Sequence, residues 1–310
     1  MKKLLIISTS KEFCNDWVNK LSKQFKVTWG QHDLISEEKL LSVLNTDSWD
    51  ILAISPDPLK WEIPESFYSS LGKIKHVCLP TTSYECFDAK RLKKMGIALS
   101  NIPHYSTNAV AEWALFMMLG LLRRISSVIK ADFNHKYTDE NLAAEFEGKT
   151  AGIIGLGAIG TKISQLLSGL GLKVIYWSPY TKNSKFLYKP LEEVLKTADF
   201  IFPTYKIKTD TKSFLNKEKL SLIRSSSYIV NIAGETAWDT EQVIKMTQDN
   251  KLAGAAFEST SKNLKDYSGN LFILPPLGWY TKESQLRTFQ IWYDNIISCL
   301  RTKPKNIVTE

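Results

Sequence analysis

The sequence predicts an α/β fold in which parallel sheets are covered by helices. Three observations carry that expectation. Apolar runs alternate with amphipathic segments along the chain, the order expected when strands are joined by covering helices. The stretch TAGIIGLGAIGTKISQLLSGLGLKVIYW reads as strand, tight turn, helix and second strand. Composition is that of a globular protein, with 44% hydrophobic and 23% charged residues, and 310 residues are enough for two domains with cores of their own.

In chain order, KKLLIIST, KVTWG, DILAIS, HVCLP and IALSNIP read as short strands, with SEEKLLSVLN and DAKRLKKMG as helices between them. The opening MKKLLIISTSKEF has two lysines and an apolar run. That run is too short for the core of a secretion signal, lacks a small-residue cleavage site, and leads into the helically spaced KEFCNDWVNKLSKQF, so it is expected to be the first strand. Further on, AVAEWALFMMLGLLRRISSVI is expected to form one uninterrupted helix, opened by the Ser106, Thr107, Asn108 cluster as its N-cap. Its apolar residues run nearly all round, which predicts burial between domains or subunits.

The glycines of the central segment follow G-x-G-x-x-G as Gly155, Gly157 and Gly160. In a strand-turn-helix setting the first permits the tight turn, the second lets the backbone approach a pyrophosphate, and the third lets helix and strand pack closely. Gly155, Gly157, Ala158, Ile159 and Gly160 are therefore expected to bind a dinucleotide at the helix N-terminus. A carboxylate that would hold the ribose hydroxyls usually ends the second strand; here the chain has Ser178, then Pro179, Tyr180, Thr181 and Lys182. Without that carboxylate a 2′-phosphate is not repelled, Ser178 and Thr181 can donate to it, and Lys182 can offset its charge. NADP is favoured and NAD stays open, since no arginine is present to make a planar contact.

The net charge of +8 comes from lysines scattered along the chain. Such a surface attracts anions, but no basic helix or aromatic-basic ribbon points to nucleic acid, and no segment reads as a membrane span. Cys14, Cys78, Cys86 and Cys299 form no C-x-x-C pair and are expected to be reduced thiols in a cytoplasmic protein. No metal site is expected.

The chain resembles the D-isomer-specific 2-hydroxyacid dehydrogenases over nearly its whole length. The resemblance rests on NIPHYSTNAVAEWAL (101 to 115), GKTAGIIGLGAIG (148 to 160), LEEVLKTADFI (191 to 201), NKEKLSLIRSSSYIVNIA (216 to 233), DNKLAGAAFE (249 to 258) and NLFILPPLGWYTKES (270 to 284). It implies two Rossmann-like domains: a cofactor domain, residues 104 to 285, inserted into a flavodoxin-like substrate domain formed by residues 1 to 103 plus 286 to 310. It further implies an active site in a cleft, with Thr107 and Ala233 beside the cofactor, and a homodimer held through the helix at 109 to 123 and the arm that follows.

Four departures from the family pattern bear on chemistry. By resemblance, Gly234 stands where an arginine grips the keto acid, Ser261 where a glutamate tunes the base, and Pro276 where a histidine transfers the proton. The four histidines are His32, His76, His104 and His135, so none follows residue 135 in any register. The glycine-rich turn that binds the substrate carboxylate reads Thr81, Thr82, Ser83, Tyr84 here. Loss of both carboxylate-binding elements points to a different bound molecule.

By analogy, the remaining candidates are Tyr105, His104 and Tyr280 as proton donors, and Tyr84, Thr82, Gly234 and Trp279 as the substrate wall, with Glu235 a further candidate. A histidine or tyrosine can protonate an oxyanion or an imine nitrogen. Tyr105, Trp279 and Tyr280 equally suit packing, and His104 a hinge or surface position. The functional expectation is an NAD(P)-dependent oxidoreductase acting on something other than a simple 2-keto acid. The alternatives are an inactive NAD(P)H-binding sensor or partner protein, and a lyase or isomerase that uses bound NAD(P).

Overall fold

A computed structural model of the chain describes residues 1–9, 15–134, 137–139, 142–207, 211–301 and 304–309. Cys14, His135 and the start of the expected KEFCNDWVNKLSKQF helix are outside the described residues. Chain contacts divide the molecule into two compact units, Met1–Tyr105 with Lys282–Glu310, and Ser106–Thr281.

The first unit begins with β1 (Lys2–Ser8), α1 (Asn15–Ser22), β2 (Phe25–Gln31), α2 (Glu37–Leu44) and β3 (Ile51–Ile54). It continues through α3 (Glu65–Ser69), β4 (His76–Cys78), α4 (Ala89–Lys94) and β5 (Ala98–Ser100). The strands form one parallel sheet in the order β2-β1-β3-β4-β5. β1 is thus an inner strand, and Leu4 to Ile7 are fully buried, as a run with apolar residues on both faces requires. Ser36 caps α2 by accepting from Lys39 N at 3.2 Å, and Asp88 caps α4 by accepting from Arg91 N at 2.9 Å.

The second unit opens with α5 (Thr107–Leu122) and α6 (Ile125–Lys130), and then follow β6 (Thr150–Ile154), α7 (Ala158–Gly169), β7 (Lys173–Trp177), β8 (Leu187–Tyr188) and α8 (Leu191–Thr197). Next come β9 (Phe200–Pro203), α9 (Lys217–Leu220), β10 (Tyr228–Asn231), α10 (Thr240–Gln248), β11 (Gly254–Glu258) and β12 (Leu271–Leu274). The parallel sheet runs β12-β11-β10-β9-β6-β7-β8, so the winding direction reverses between β6 and β9. Gly152 lets α8 lie close on β6: a Cβ there would stand 2.7 Å from both Ala198 Cβ and Val194 Cγ1.

Two local expectations are corrected here. The long helix is not continuous, because Arg124 takes a left-handed φ of 50° and separates α5 from α6. Ser106 occupies the N-cap of α5 but makes no side-chain cap bond, its ψ of 8° departing from the extended backbone of a capping serine. The apolar faces of α5 are accounted for largely inside its own unit, where Ala111, Ala114, Met117, Met118, Leu121 and Leu122 join the core against β6, β9 and β10. Gly120 admits the Phe272 ring, which a Cβ would meet at 2.4 Å.

The last helix, α11 (Lys282–Ser298), belongs to the first unit. Trp292 and Ile296 are fully buried, Trp292 Nε1 donates to Cys78 O at 2.9 Å, and Asn295 Nδ2 donates to Asn101 O at 2.8 Å. Among the described cysteines, Cys78, Cys86 and Cys299 are free thiols.

Candidate functional site

In an open parallel sheet, ligands bind beyond the C-terminal strand ends where the winding reverses. That place in the second unit is the loop after β6, and its three glycines divide by what surrounds them. Gly155 has φ +98°, and a Cβ would fall 2.8 Å from Tyr205 N, so both turn and neighbour exclude a side chain. A Cβ on Gly160 would meet Gly155 O at 2.3 Å and Thr204 Oγ1 at 2.6 Å. Gly157 differs: its φ of −79° is ordinary, and a Cβ would find nothing within 4 Å. The fold itself needs the first and third glycines, whereas only a ligand pressed against the backbone needs the second.

Gly157 is also the N-cap of α7 and supplies no side-chain cap. The leading N–H groups of the helix, at Ala158 and Ile159, are thereby left to an anion, with the helix dipole aligned in its favour. Thr204 Oγ1, beyond β9, donates to Gly155 O and fixes the loop from the neighbouring strand. The residues present therefore fit a dinucleotide pyrophosphate.

Past β7, Ser178 is nearly buried, and its hydroxyl oxygen accepts from Thr181 N at 3.2 Å. The serine shapes the turn while its own proton is still available to donate. Lys182 is exposed, and no carboxylate lies between Trp177 and Lys185. Trp177 stacks on Phe214 at 5.5 Å, and Phe214 meets Tyr205 edge-on at 5.3 Å, so the loops after β7 and β9 share an aromatic wall.

Beyond β10, the fully buried Asn231 side chain organises the next loop. Its Oδ1 accepts from Ala233 N and its Nδ2 donates to Gly234 O, both at 2.9 Å. Gly234 itself has φ +108° and ψ 158°. Glu235 opens a short turn, and its Oε1 is buried with no hydrogen-bond partner among the described residues.

A carboxylate that the sequence did not single out lies at the end of β11. Glu258 Oε1 accepts from Gly278 N at 2.8 Å, and burial raises its carboxyl pKa above the ordinary value despite the backbone donors. The available signal was an acidic residue directly ending an apolar parallel strand. Gly278 is pinned between Glu258 and Trp113, since a Cβ would stand 2.8 Å from Trp113 Cδ1. Trp113, Phe116, Leu277 and Tyr280 line a cavity of about 360 Å³ beside it. Trp279 and Tyr280 meet edge to face at 5.3 Å, both exposed.

The other sequence candidates belong to the first unit, except Thr107, the first residue of α5. Thr82 Oγ1 donates its proton to Ile102 O at 2.9 Å, leaving the hydroxyl only acceptor capacity. Tyr84 is half-buried against the core of that unit, and the Tyr105 ring packs against the cluster around Trp292. His104 is exposed, with a left-handed φ of 62° that is uncommon outside glycine. No group of three or more potential metal ligands occurs among the described residues.

Comparison with known proteins agrees with this geometry. Residues 115–277 match the family model described as D-isomer specific 2-hydroxyacid dehydrogenase, NAD binding domain. The chain is 28% identical over 303 residues to a glyoxylate reductase of Pyrococcus furiosus, covering 92% of this chain and 89% of that protein. It is 29% identical over 248 residues to an aromatic 2-oxoacid reductase of Clostridium sporogenes, covering 72% and 75%. Among solved structures, an acyclic imino acid reductase in complex with NADPH and D-Arg superposes with a TM-score of 0.86 at 24% identity, over 99% of both chains. A D-lactate dehydrogenase from Aquifex aeolicus complexed with NAD and lactic acid superposes at 0.81 with 23% identity, again over 99% of both. These two structural likenesses speak for the fold alone.

Proposed function

The chain belongs to the D-isomer specific 2-hydroxyacid dehydrogenase family, and we propose that it is an NADP-preferring oxidoreductase whose substrate is not a simple 2-keto acid. The backbone of Gly234 carries this reading. Its φ of +108° with ψ 158° is a conformation essentially confined to glycine, and Asn231 clamps the loop on both sides of it. The place where the family pattern calls for a substrate-gripping arginine is thus shaped around a residue with no side chain. Pro276 offers no proton, and no histidine follows residue 135.

When bound, the dinucleotide supplies or accepts a hydride at nicotinamide C4. The protein's part would be to hold the pyrophosphate with the N–H groups at Gly157 to Ile159 and the ribose at Ser178, with Thr107 and Ala233 as the further residues that would bind the cofactor. Trp113, Phe116 and Tyr280, the last with Trp279 edge-on against it, give the cavity an aromatic wall suited to a larger substrate, with Glu112 the carboxylate in its lining. A C=N substrate suits these residues better than C=O. A protonated imine already carries the proton that a carbonyl must receive, so its reduction needs no acid where Pro276 stands. The fold relative named an acyclic imino acid reductase, described with NADPH, is consistent with that chemistry.

A homodimer in the cytoplasm is part of this reading. It is supported by exposed apolar residues on and after α5, namely Phe116, Phe133, Tyr137 and Leu142, and by free rather than paired thiols at Cys78, Cys86 and Cys299. No helix among the described residues is long and apolar enough to cross a membrane.

The test is NADPH oxidation with pyruvate, glyoxylate and hydroxypyruvate, each alone and each with a primary amine that forms the imine. Negligible turnover alone and measurable turnover with amine is expected. Ordinary turnover of the keto acids alone overturns the reading. Tight NADPH binding with no turnover of either class makes the chain a dinucleotide-binding sensor or partner protein instead.

A further inference from the structure

The sheet of the second unit has a second polar concavity, at its opposite edge. A cavity of about 610 Å³ lies at the N-terminal ends of β10, β11 and β12, whereas Gly155, Thr204, Gly234 and Glu258 mark the C-terminal ends. Its wall includes Arg124, Ser127, Lys130, Ser225, Ser268 and Asn270, and no aspartate or glutamate lines it.

The two cations in this wall are held by neutral acceptors. Lys130 Nζ donates to Gly269 O at 3.1 Å, and Arg124 Nε donates to Leu142 O at 3.0 Å. Neither forms an ion pair among the described residues. Both are partly buried, and burial alone lowers the Lys130 pKa, as expected of a desolvated ammonium lacking a counter-charge.

The wall is also fixed in place. The Asn270 amide donates to Leu121 O at 3.2 Å and Ala253 O at 3.1 Å, and its Oδ1 accepts from Ser126 Oγ at 3.3 Å. Gly269, at φ +79°, lets its loop lie against the end of α10, where a Cβ would reach Thr247 O at 3.1 Å. The left-handed Arg124 at the break between α5 and α6 belongs to the same frame.

We propose that this cavity binds a small molecule bearing a phosphate group, at a site separate from the dinucleotide cradle. A phosphate carries about −1.5 to −2 charges near neutral pH and three acceptor oxygens. That matches two cations and several hydroxyl donors better than a single carboxylate does. The volume is of the size that takes a metabolite as well as a bare ion. Because α6 and the ends of three strands share the wall, occupancy is expected to stiffen the α5–α6 junction.

The test is residue-resolved NMR on the full chain, titrated with inorganic phosphate and separately with glycerol 3-phosphate. Saturable shifts are expected at the amides of Ser127, Gly269 and Asn270. The Arg124→Gln/Lys130→Gln double variant should weaken binding by about tenfold or more, the scale of losing a charge-assisted hydrogen bond. Gly157→Val, which blocks the dinucleotide cradle, should leave these shifts unchanged. Tighter binding of the organic phosphate identifies a metabolite site, and equal binding a free-phosphate site; both support the proposal. Absence of saturable shifts in the folded protein, or shifts that persist in the double variant, overturns it. So does a double variant that alters only the oligomeric mass, since the concavity is then a contact between subunits.

Discussion

The Glu258 carboxylate accepts a hydrogen bond from the backbone N–H of Gly278, 2.8 Å away and twenty residues further along the chain. This bond ties the end of β11 to the loop that carries Trp279 and Tyr280. Burial outweighs the backbone donors and raises the Glu258 pKa. For a carboxyl whose folded pKa exceeds its unfolded value, the stabilising contribution is fully present below the unfolded pKa and is lost as pH rises through the folded one. Ionisation of the buried group is therefore a cost that sets in as pH rises. Glu258→Gln keeps an acceptor for Gly278 N and cannot ionise, so its melting temperature should equal or exceed that of the parent at pH 7 and vary less between pH 4.5 and neutrality. Parallel melting curves across that range decide it; a variant destabilised equally at both ends would contradict the assignment.

Gly157 and Gly160 of the dinucleotide loop should separate in one experiment. A Cβ at Gly157 finds nothing within 4 Å, so the fold of Gly157→Val should survive with a melting temperature within a few degrees of the parent while calorimetry detects no dinucleotide binding. Gly160→Val forces atoms against Gly155 O and Thr204 Oγ1 and should cost about 1–3 kcal/mol, as overpacking does. If Gly157→Val still binds all four nicotinamide forms, the pyrophosphate does not lie on this backbone.

Cofactor choice rests on Ser178, whose oxygen already accepts from Thr181 N. Ser178→Asp keeps an acceptor for that turn and adds a negative charge where a 2′-phosphate would lie. NADP(H) affinity should fall by about tenfold or more, with NAD(H) changed far less, on the scale of a charge-assisted contact exchanged for repulsion. Equal losses for both nucleotides would remove the NADP assignment.

The parts of this molecule that were legible in the sequence depend on neighbours close in sequence. β1 and β6 announce themselves because strands buried on both faces must be apolar throughout, and Gly155 and Gly160 because a tight turn and a close helix leave no room for Cβ. Other features are assembled from segments far apart. The environment of Glu258 is created by Gly278, and the cation-lined cavity draws on α6, the approach to β10, and the loops before β11 and β12. The break at Arg124 has no local breaker residue: the left-handed arginine donates to Leu142 O, eighteen residues on, a contact that periodicity does not report. Gly234 lies between these cases. Its presence was plain, but only the φ of +108° shows that the loop is built around it.

The proton source is the last question that substitution can answer. Hydride transfer to a C=O carbon leaves an oxyanion that must gain a proton at nearly the same time, and no histidine beyond residue 135 can give it. The candidates are Tyr105, His104 and Tyr280. Tyr105 has its ring against the Trp292 cluster and its carbonyl held by Arg287 Nε at 2.6 Å, so its position is fixed by packing. His104 is exposed, and Tyr280 lines the aromatic cavity with Trp113. Tyr105→Phe and Tyr280→Phe each remove only a hydroxyl, and His104→Gln removes the imidazole with little change in size. Once a substrate turns over, loss of the true acid should reduce kcat by about 100-fold or more with cofactor affinity unchanged. With an imine substrate the expectation differs: all three variants should keep their rate, because the substrate brings the proton. A loss of 100-fold or more in any of them on an imine would show that the protein supplies the proton after all.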